Sequence, residues 1–200
     1  VITANKALVA THGNNIGELV AKHDVMFGYE AAVAGGIPII KTIREGLASN
    51  RLVKIYGILN GTCNYILSVM RETGQEFEDI LADAQRLGYA EADPSFDVDG
   101  VDAAHKLAIL SAIAFQTPIN FSGVYVEGIR FISPIDIDFA TELGYRIKLL
   151  GIGELLGNGL QQRVRPCLVP VNNPIARVED VFNAVAAEAE GLGTSLSYGR

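Results

Sequence analysis

Hydrophobic positions along the chain follow two periods, and the change from one to the other divides it. Up to about residue 115 they mostly return every three or four residues, which predicts helices over residues 6–22, 37–48, 62–73, 77–87 and 101–115. The polar run THGNN at residues 11–15 predicts a break in the first of these, and Pro38 falls in the opening turn of the second, where its missing N–H costs little. Residues 25–30 alternate and predict a strand, residues 1–3 read as the end of a buried one, and AVAGG at 32–36 reads as a tight loop. One further strand is predicted over residues 51–59. Beyond residue 120 the period shortens: residues 123–129, 145–155, 160–170, 181–190 and 193–198 are strand-like runs separated by Gly, Asn and Pro turns. Helices between strands first and consecutive strands afterwards predict an α+β fold with helices packed on one face of a largely antiparallel or mixed sheet.

Composition narrows the partners. The net charge of −7 over 200 residues, with no Lys/Arg cluster, argues against nucleic acid or an anionic membrane surface, since phosphate binding needs a concentrated basic face. No apolar run is long enough to span a bilayer. Two cysteines, Cys63 and Cys167, without CxxC spacing make no disulfide framework, so a cytoplasmic setting is expected. The opening VITANK has neither an initiator Met nor a signal-peptide pattern, and the chain reads as a piece of something longer.

One segment stands out chemically. In AEADPSFDVDGVDAAHK, Glu91, Asp93, Asp97, Asp99 and Asp102 precede Lys106 at the start of the most apolar predicted helix. At 100° per residue Asp102 and Lys106 lie about 40° apart on one face, with His105 beside them. Asp99 as N-cap and an Asp102–Lys106 pair would be a purely structural explanation. Against it, burying such a pair costs several kcal/mol unless it is well partnered, so a polar stripe on a buried helix more often lines a cleft.

These residues also carry a family resemblance. GYAEADPSFDVDGVDAAHKLAIL resembles the signature segment of homoserine dehydrogenases, and VITANKALVA, YEAAVAGGIPII, GILNGTCNYIL and ELGYRIKLLGI resemble other parts of the same family, in the same order. The likeness favours the monofunctional bacterial type. It implies NAD- or NADP-dependent interconversion of L-aspartate 4-semialdehyde and L-homoserine, in the branch leading to threonine, methionine and isoleucine, by a homodimer or higher oligomer. It further implies that residues 1–36 are the tail of a Rossmann-type nucleotide-binding domain and residues 37–200 a catalytic and dimerisation domain. Lys106 and Lys6 become the catalytic candidates. Glu91, Asp102, Asp97, Tyr89, Gly61 and Thr62 become substrate-binding candidates, and Thr3, Ala4, Lys6, Gly88 and Glu91 face the cofactor. Glu30, with main-chain oxygens of Val33, Gly35 and Ile37, would hold sodium.

The chemistry suits those residue types. Hydride arriving at an aldehyde carbon leaves negative charge on oxygen, which a neighbouring ammonium both stabilises and protonates. An amino-acid substrate brings its own ammonium, so carboxylates are needed as well. In LNGTCNYIL a strand gives way to a helix whose first N–H groups, near Gly61 and Thr62, suit a substrate carboxylate or a cofactor phosphate; simple capping by Asn60 or Thr62 fits equally well. Two other readings compete: an acylating aldehyde dehydrogenase with Cys63 as thiolate nucleophile, and a non-catalytic subunit-association module. GIGELLG at 151–157 resembles a dinucleotide fingerprint, but its last glycine is one position late and a GNG turn and another strand follow, so a hairpin is expected. His12 and His23 lack metal-ligand spacing and are expected at the surface.

Overall fold

The computed structural model describes residues 1–157 and 159–200. Six strands form one sheet: β1 (Leu52–Ile58), β2 (Tyr125–Val126), β3 (Tyr145–Leu156), β4 (Gly159–Pro170), β5 (Asn183–Ala189) and β6 (Gly193–Gly199), in the order β2-β4-β3-β1-β5-β6. Every pairing is antiparallel except β2 with β4. The β3–β4 pair runs in register from Tyr145–Pro170 to Leu156–Gly159. Residue 158, within the expected GNG turn, lies outside the described residues.

Alternation along β3 sends Leu149 into the main core and Leu150 and Ile152 into a smaller cluster on the other face, with Ile175 and Val178. On the main-core face lie α1 (Lys6–His23), α2 (Ile39–Lys41), α3 (Gly61–Thr73), α4 (Phe77–Arg86), α5 (Ser95–Val98), α6 (Val101–Phe115) and α7 (Pro134–Glu142). The expected α+β architecture is what the chain adopts. The first two glycines of GIGELLG, Gly151 and Gly153, have a packing role. A side chain at Gly151 would stand 2.8 Å from Leu59 and one at Gly153 2.6 Å from the Ser111 hydroxyl, so Gly151 makes room for Leu59 and Gly153 lets α6 press closely on the sheet.

Several expected elements differ. The THGNN run does not interrupt α1, because Asn14 clasps the main chain of Ile119 through two 2.9 Å hydrogen bonds and holds the helix against its neighbour. The strands expected at 1–3 and 25–30 reduce to a single parallel bridge between Ile2 and Gly28, since alternation alone makes no strand without a ladder to join. Residues 37–48 form only α2 and one wide π-type turn over Thr42–Gly46. The strand expected at 123–129 shrinks to β2. Helix α7 was not anticipated, although Ser133, Pro134 and Asp136 spell a capping box with proline at its start. No helix among the described residues is long and apolar enough to cross a membrane.

Candidate functional site

Strand β1 ends at Ile58, Leu59 follows into the main core, and Asn60 turns the chain into α3. Its side-chain oxygen accepts the Cys63 N–H at 2.8 Å, an ordinary N-cap. Its amide nitrogen reaches away from the helix to two carboxylates, Asp97 at 2.7 Å and Asp102 at 2.9 Å. Asn60 is therefore both cap and site residue, which answers the question left open by the sequence. The amides of Gly61 and Thr62 have no hydrogen-bond partner among the described residues, while the Thr62 hydroxyl donates to the Tyr89 carbonyl at 2.7 Å.

Asp102 occupies the first turn of α6 and is 2% exposed. A buried carboxylate is costly unless fully partnered. This one accepts from Lys106 at 2.7 Å, Asn60 at 2.9 Å and Lys6 at 2.9 Å. Burial pushes its carboxyl up, but the Lys106 ammonium and the three hydrogen bonds outweigh that and hold it below the usual carboxylate range. Lys106 also donates to the Leu59 carbonyl at 2.6 Å. Of its three N–H bonds, two have protein partners among the described residues.

Asp97, carried by α5, behaves differently. Burial raises its carboxyl above the ordinary value, with the nearby Asp102 charge adding to the shift and the Asn60 hydrogen bond opposing it. It is thus a carboxylate short of a cation. Asp99 is not the cap of α6. Gly100 takes that place, at a φ of +86°, and Asp99 pairs with Arg130, which also donates to Ser95 at 2.9 Å. The acidic segment divides accordingly, with Asp97 and Asp102 in the site and Asp99 in a clamp that ties α5 to the chain before α7.

Lys6, Asn60, Gly61, Thr62, Gly88, Tyr89, Asp97, Asp102, Lys106 and Val181 line one open cavity of about 360 Å³. Eight of these ten were singled out from the sequence; Asn60 had been read only as a cap and Val181 not at all. Glu91 is exposed on the loop after Tyr89, and its side chain is not among the lining residues. Thr3 and Ala4 precede Lys6 outside the lining, with the Thr3 hydroxyl accepting the Asn5 N–H. The loop at residues 30–37 is separate. There the Glu30 carboxylate caps α2, accepting N–H groups of Ile40 at 2.8 Å and Lys41 at 3.0 Å. His105 packs between Phe96 and Phe121 with its Nδ1 unpartnered, and burial lowers its pKa, so it remains neutral. His12 and His23 are exposed.

Cys63 does not fit the role of a nucleophile. It is fully buried, and its thiol donates to the Asp97 carbonyl. Burial pushes its pKa well above the ordinary value, and the neighbouring Asp97 and Asp102 charges push it further, the opposite of what activates a cysteine.

Known proteins share this sequence and this fold. The homoserine dehydrogenase family model matches residues 38–200. The homoserine dehydrogenases of Neisseria gonorrhoeae and Pseudomonas aeruginosa are 55% and 53% identical over 199 residues, covering 100% of this chain and 46% of each relative. A crystal structure of a homoserine dehydrogenase from Thiobacillus denitrificans superposes with a TM-score of 0.98 at 55% identity, covering 100% of this chain and 46% of that one. A hyperthermophilic archaeal homoserine dehydrogenase in complex with NADPH gives a TM-score of 0.86 at 28% identity, covering 100% and 57%. The chain spans about half the length of the curated relatives it matches.

Proposed function

The chain belongs to the homoserine dehydrogenase family, and on that premise we propose that it is the catalytic region of an NAD(P)-dependent enzyme interconverting L-homoserine and L-aspartate 4-semialdehyde. The observation that carries this reading is the Lys6–Asp102–Lys106 array opening on a cavity beside two unpartnered helix amides. The amides of Gly61 and Thr62 suit the substrate carboxylate. Asp97, a half-buried carboxylate short of a cation, suits the substrate ammonium, with Glu91 approaching from the exposed loop. The spare N–H of Lys106 then faces the substrate oxygen, donating its proton in aldehyde reduction and, once neutral, accepting one in homoserine oxidation. Lys6, sharing Asp102, adds positive charge where the oxyanion develops.

A nicotinamide, when bound, supplies or takes up the hydride. Gly88 lines the cavity at a φ of +79° with nothing within 4 Å of where a side chain would stand, which leaves open space for a flat ring beside the substrate. Thr3, Ala4, Lys6, Gly88 and Glu91 would border it. The boundary near residue 36, with a nucleotide-binding portion before it and the catalytic and dimerisation portion after, is supported by the family model starting at residue 38. Sodium would sit at residues 30–37. The carbonyls of Val33 and Gly35 take no main-chain hydrogen bond among the described residues, and each Glu30 oxygen accepts one N–H, leaving lone pairs for a hard cation alongside the Ile37 carbonyl. The enzyme would act in the cytoplasm as a homodimer or larger oligomer.

The test is a steady-state assay of the full-length enzyme, following NAD(P)H absorbance with L-homoserine. Turnover is expected, with Glu91→Gln raising the homoserine KM far more than the cofactor KM. Absence of turnover with either cofactor would refute the assignment.

A further inference from the structure

Further along α3 from Asn60 lies a second charged cluster. Lys148, 3% exposed on β3, donates to Asn64 at 3.0 Å, the Val178 carbonyl at 2.6 Å and Glu179 at 3.1 Å. Glu179 also accepts from Ser68 at 2.8 Å, Arg71 at 3.1 Å and Arg146 at 2.6 Å. Asn64, one turn after Asn60, closes the cluster by donating to the carbonyls of Val178 at 3.1 Å and Phe182 at 3.3 Å. The loop at residues 178–182 is thereby fastened at both ends, and Asp180 within it is held at a φ of +54°, a conformation non-glycine residues seldom adopt.

What lies between the fastened ends is Val181. Its carbonyl approaches Gly61 so closely that a side chain there would stand 2.6 Å away, and the residue lines the catalytic cavity. Among the lining residues it carries the one aliphatic side chain. A four-carbon amino acid presents two methylenes between its polar ends, and an apolar wall is what would pack on them.

We propose that the 178–182 loop is a wall of the substrate pocket whose placement is set by the Lys148–Glu179–Asn64 cluster, with Glu179 as a positioning residue and Val181 as the side chain that meets the substrate. This rests on the functional reading above. Glu179 acts through geometry alone: four donors from α3 and β3 converge on its carboxylate and fix the main chain two residues before Val181. Losing one acceptor oxygen frees the loop to move away from Gly61, the helix start that receives the substrate carboxylate.

The experiment compares Glu179→Gln, Glu179→Asp and Val181→Ala in the full-length enzyme. Glu179→Gln should raise the homoserine KM about tenfold, since small displacements of positioning groups have large effects. Its kcat should stay within about threefold of the parent and its cofactor KM should not move. Glu179→Asp should recover part of the loss, and Val181→Ala should raise the homoserine KM with an unchanged melting temperature. Hydrogen exchange in Glu179→Gln should quicken at residues 178–182 and 61–64 but not across α6. A homoserine KM unmoved in both Glu179→Gln and Val181→Ala overturns the proposal, even if stability falls. Should Glu179→Gln fail to fold, Val181→Ala decides by the same criterion. Should the parent enzyme not oxidise homoserine, the functional reading falls separately, and exchange unchanged at residues 61–64 would remove the loop proposal on its own terms.

Discussion

Lys106 and Lys148 are both drawn into the protein, both paired with a carboxylate and both bonded to a main-chain carbonyl, yet their surroundings differ. Lys148 is 3% exposed and has a protein acceptor for each of its three N–H bonds. Lys106, with a side chain 15% exposed, has two acceptors and borders an open cavity. A buried lysine is thus no mark of catalysis in itself. The unassigned N–H beside open space is what sets Lys106 apart and what the proposed acid–base role rests on. The carboxylates differ in parallel: Glu179 is surrounded by donors from three basic side chains, while Asp97 has only the Asn60 amide.

Four substitutions in the full-length enzyme test that contrast, from the largest effect to the smallest. Lys106→Ala should lower kcat by about 10²–10⁴-fold, the range for losing a positioned proton donor. Near-normal kcat would move the acid–base role to Lys6. Asp102→Asn leaves two cations facing a neutral amide and should cost about 3 kcal/mol at neutral pH by denaturant titration. Its pH dependence has a definite sign. The Asp102 carboxyl is held below its ordinary value in the folded protein, so its contribution is complete above the unfolded value and is lost as pH falls through the folded one. Parent and variant stabilities should therefore converge in acid.

Asp97 carries the opposite sign, because its folded carboxyl is raised. Its ionisation opposes folding above that raised value, and the penalty disappears as pH falls and the group protonates. Asp97→Asn, which keeps an acceptor for Asn60, should leave melting temperature at neutral pH unchanged or higher while raising the homoserine KM. A lower melting temperature would place Asp97 with Glu179 among the structural carboxylates. Cys63→Ser should leave kcat within about twofold, as expected for a buried thiol outside the chemistry; loss of turnover would restore the thiolate reading.

Much of this was legible in the sequence because α6 is so apolar that a polar Asp102–Lys106 stripe on it needed either a cap and ion pair or a cleft to account for it. The start of α3 was marked by a different sign, a strand giving way to a helix whose first N–H groups lack partners, though capping accounted for it equally well. What sequence could not supply were contacts across the fold. Lys148 lies in a strand whose alternation suits either face, and only the loop that folds back from residue 178 makes it buried and bonded. Val181 is an unremarkable residue at a strand entrance until that loop brings it against Gly61. Asp99 looked like a cap because its partner, Arg130, lies 31 residues away. The bridge of Ile2 to Gly28 shows the converse, a correct alternation with almost no ladder to join.

The central claim, that the unassigned N–H of Lys106 moves the proton, is tested most directly by chemical rescue. Turnover of full-length Lys106→Ala would be measured with increasing concentrations of small primary amines, with Lys148→Ala as the control. An amine that enters the vacated space replaces the missing N–H, so homoserine oxidation by Lys106→Ala should rise with amine concentration, while turnover of Lys148→Ala should not respond. Full turnover of Lys106→Ala without amine, or an equal response in Lys148→Ala, would contradict the assignment.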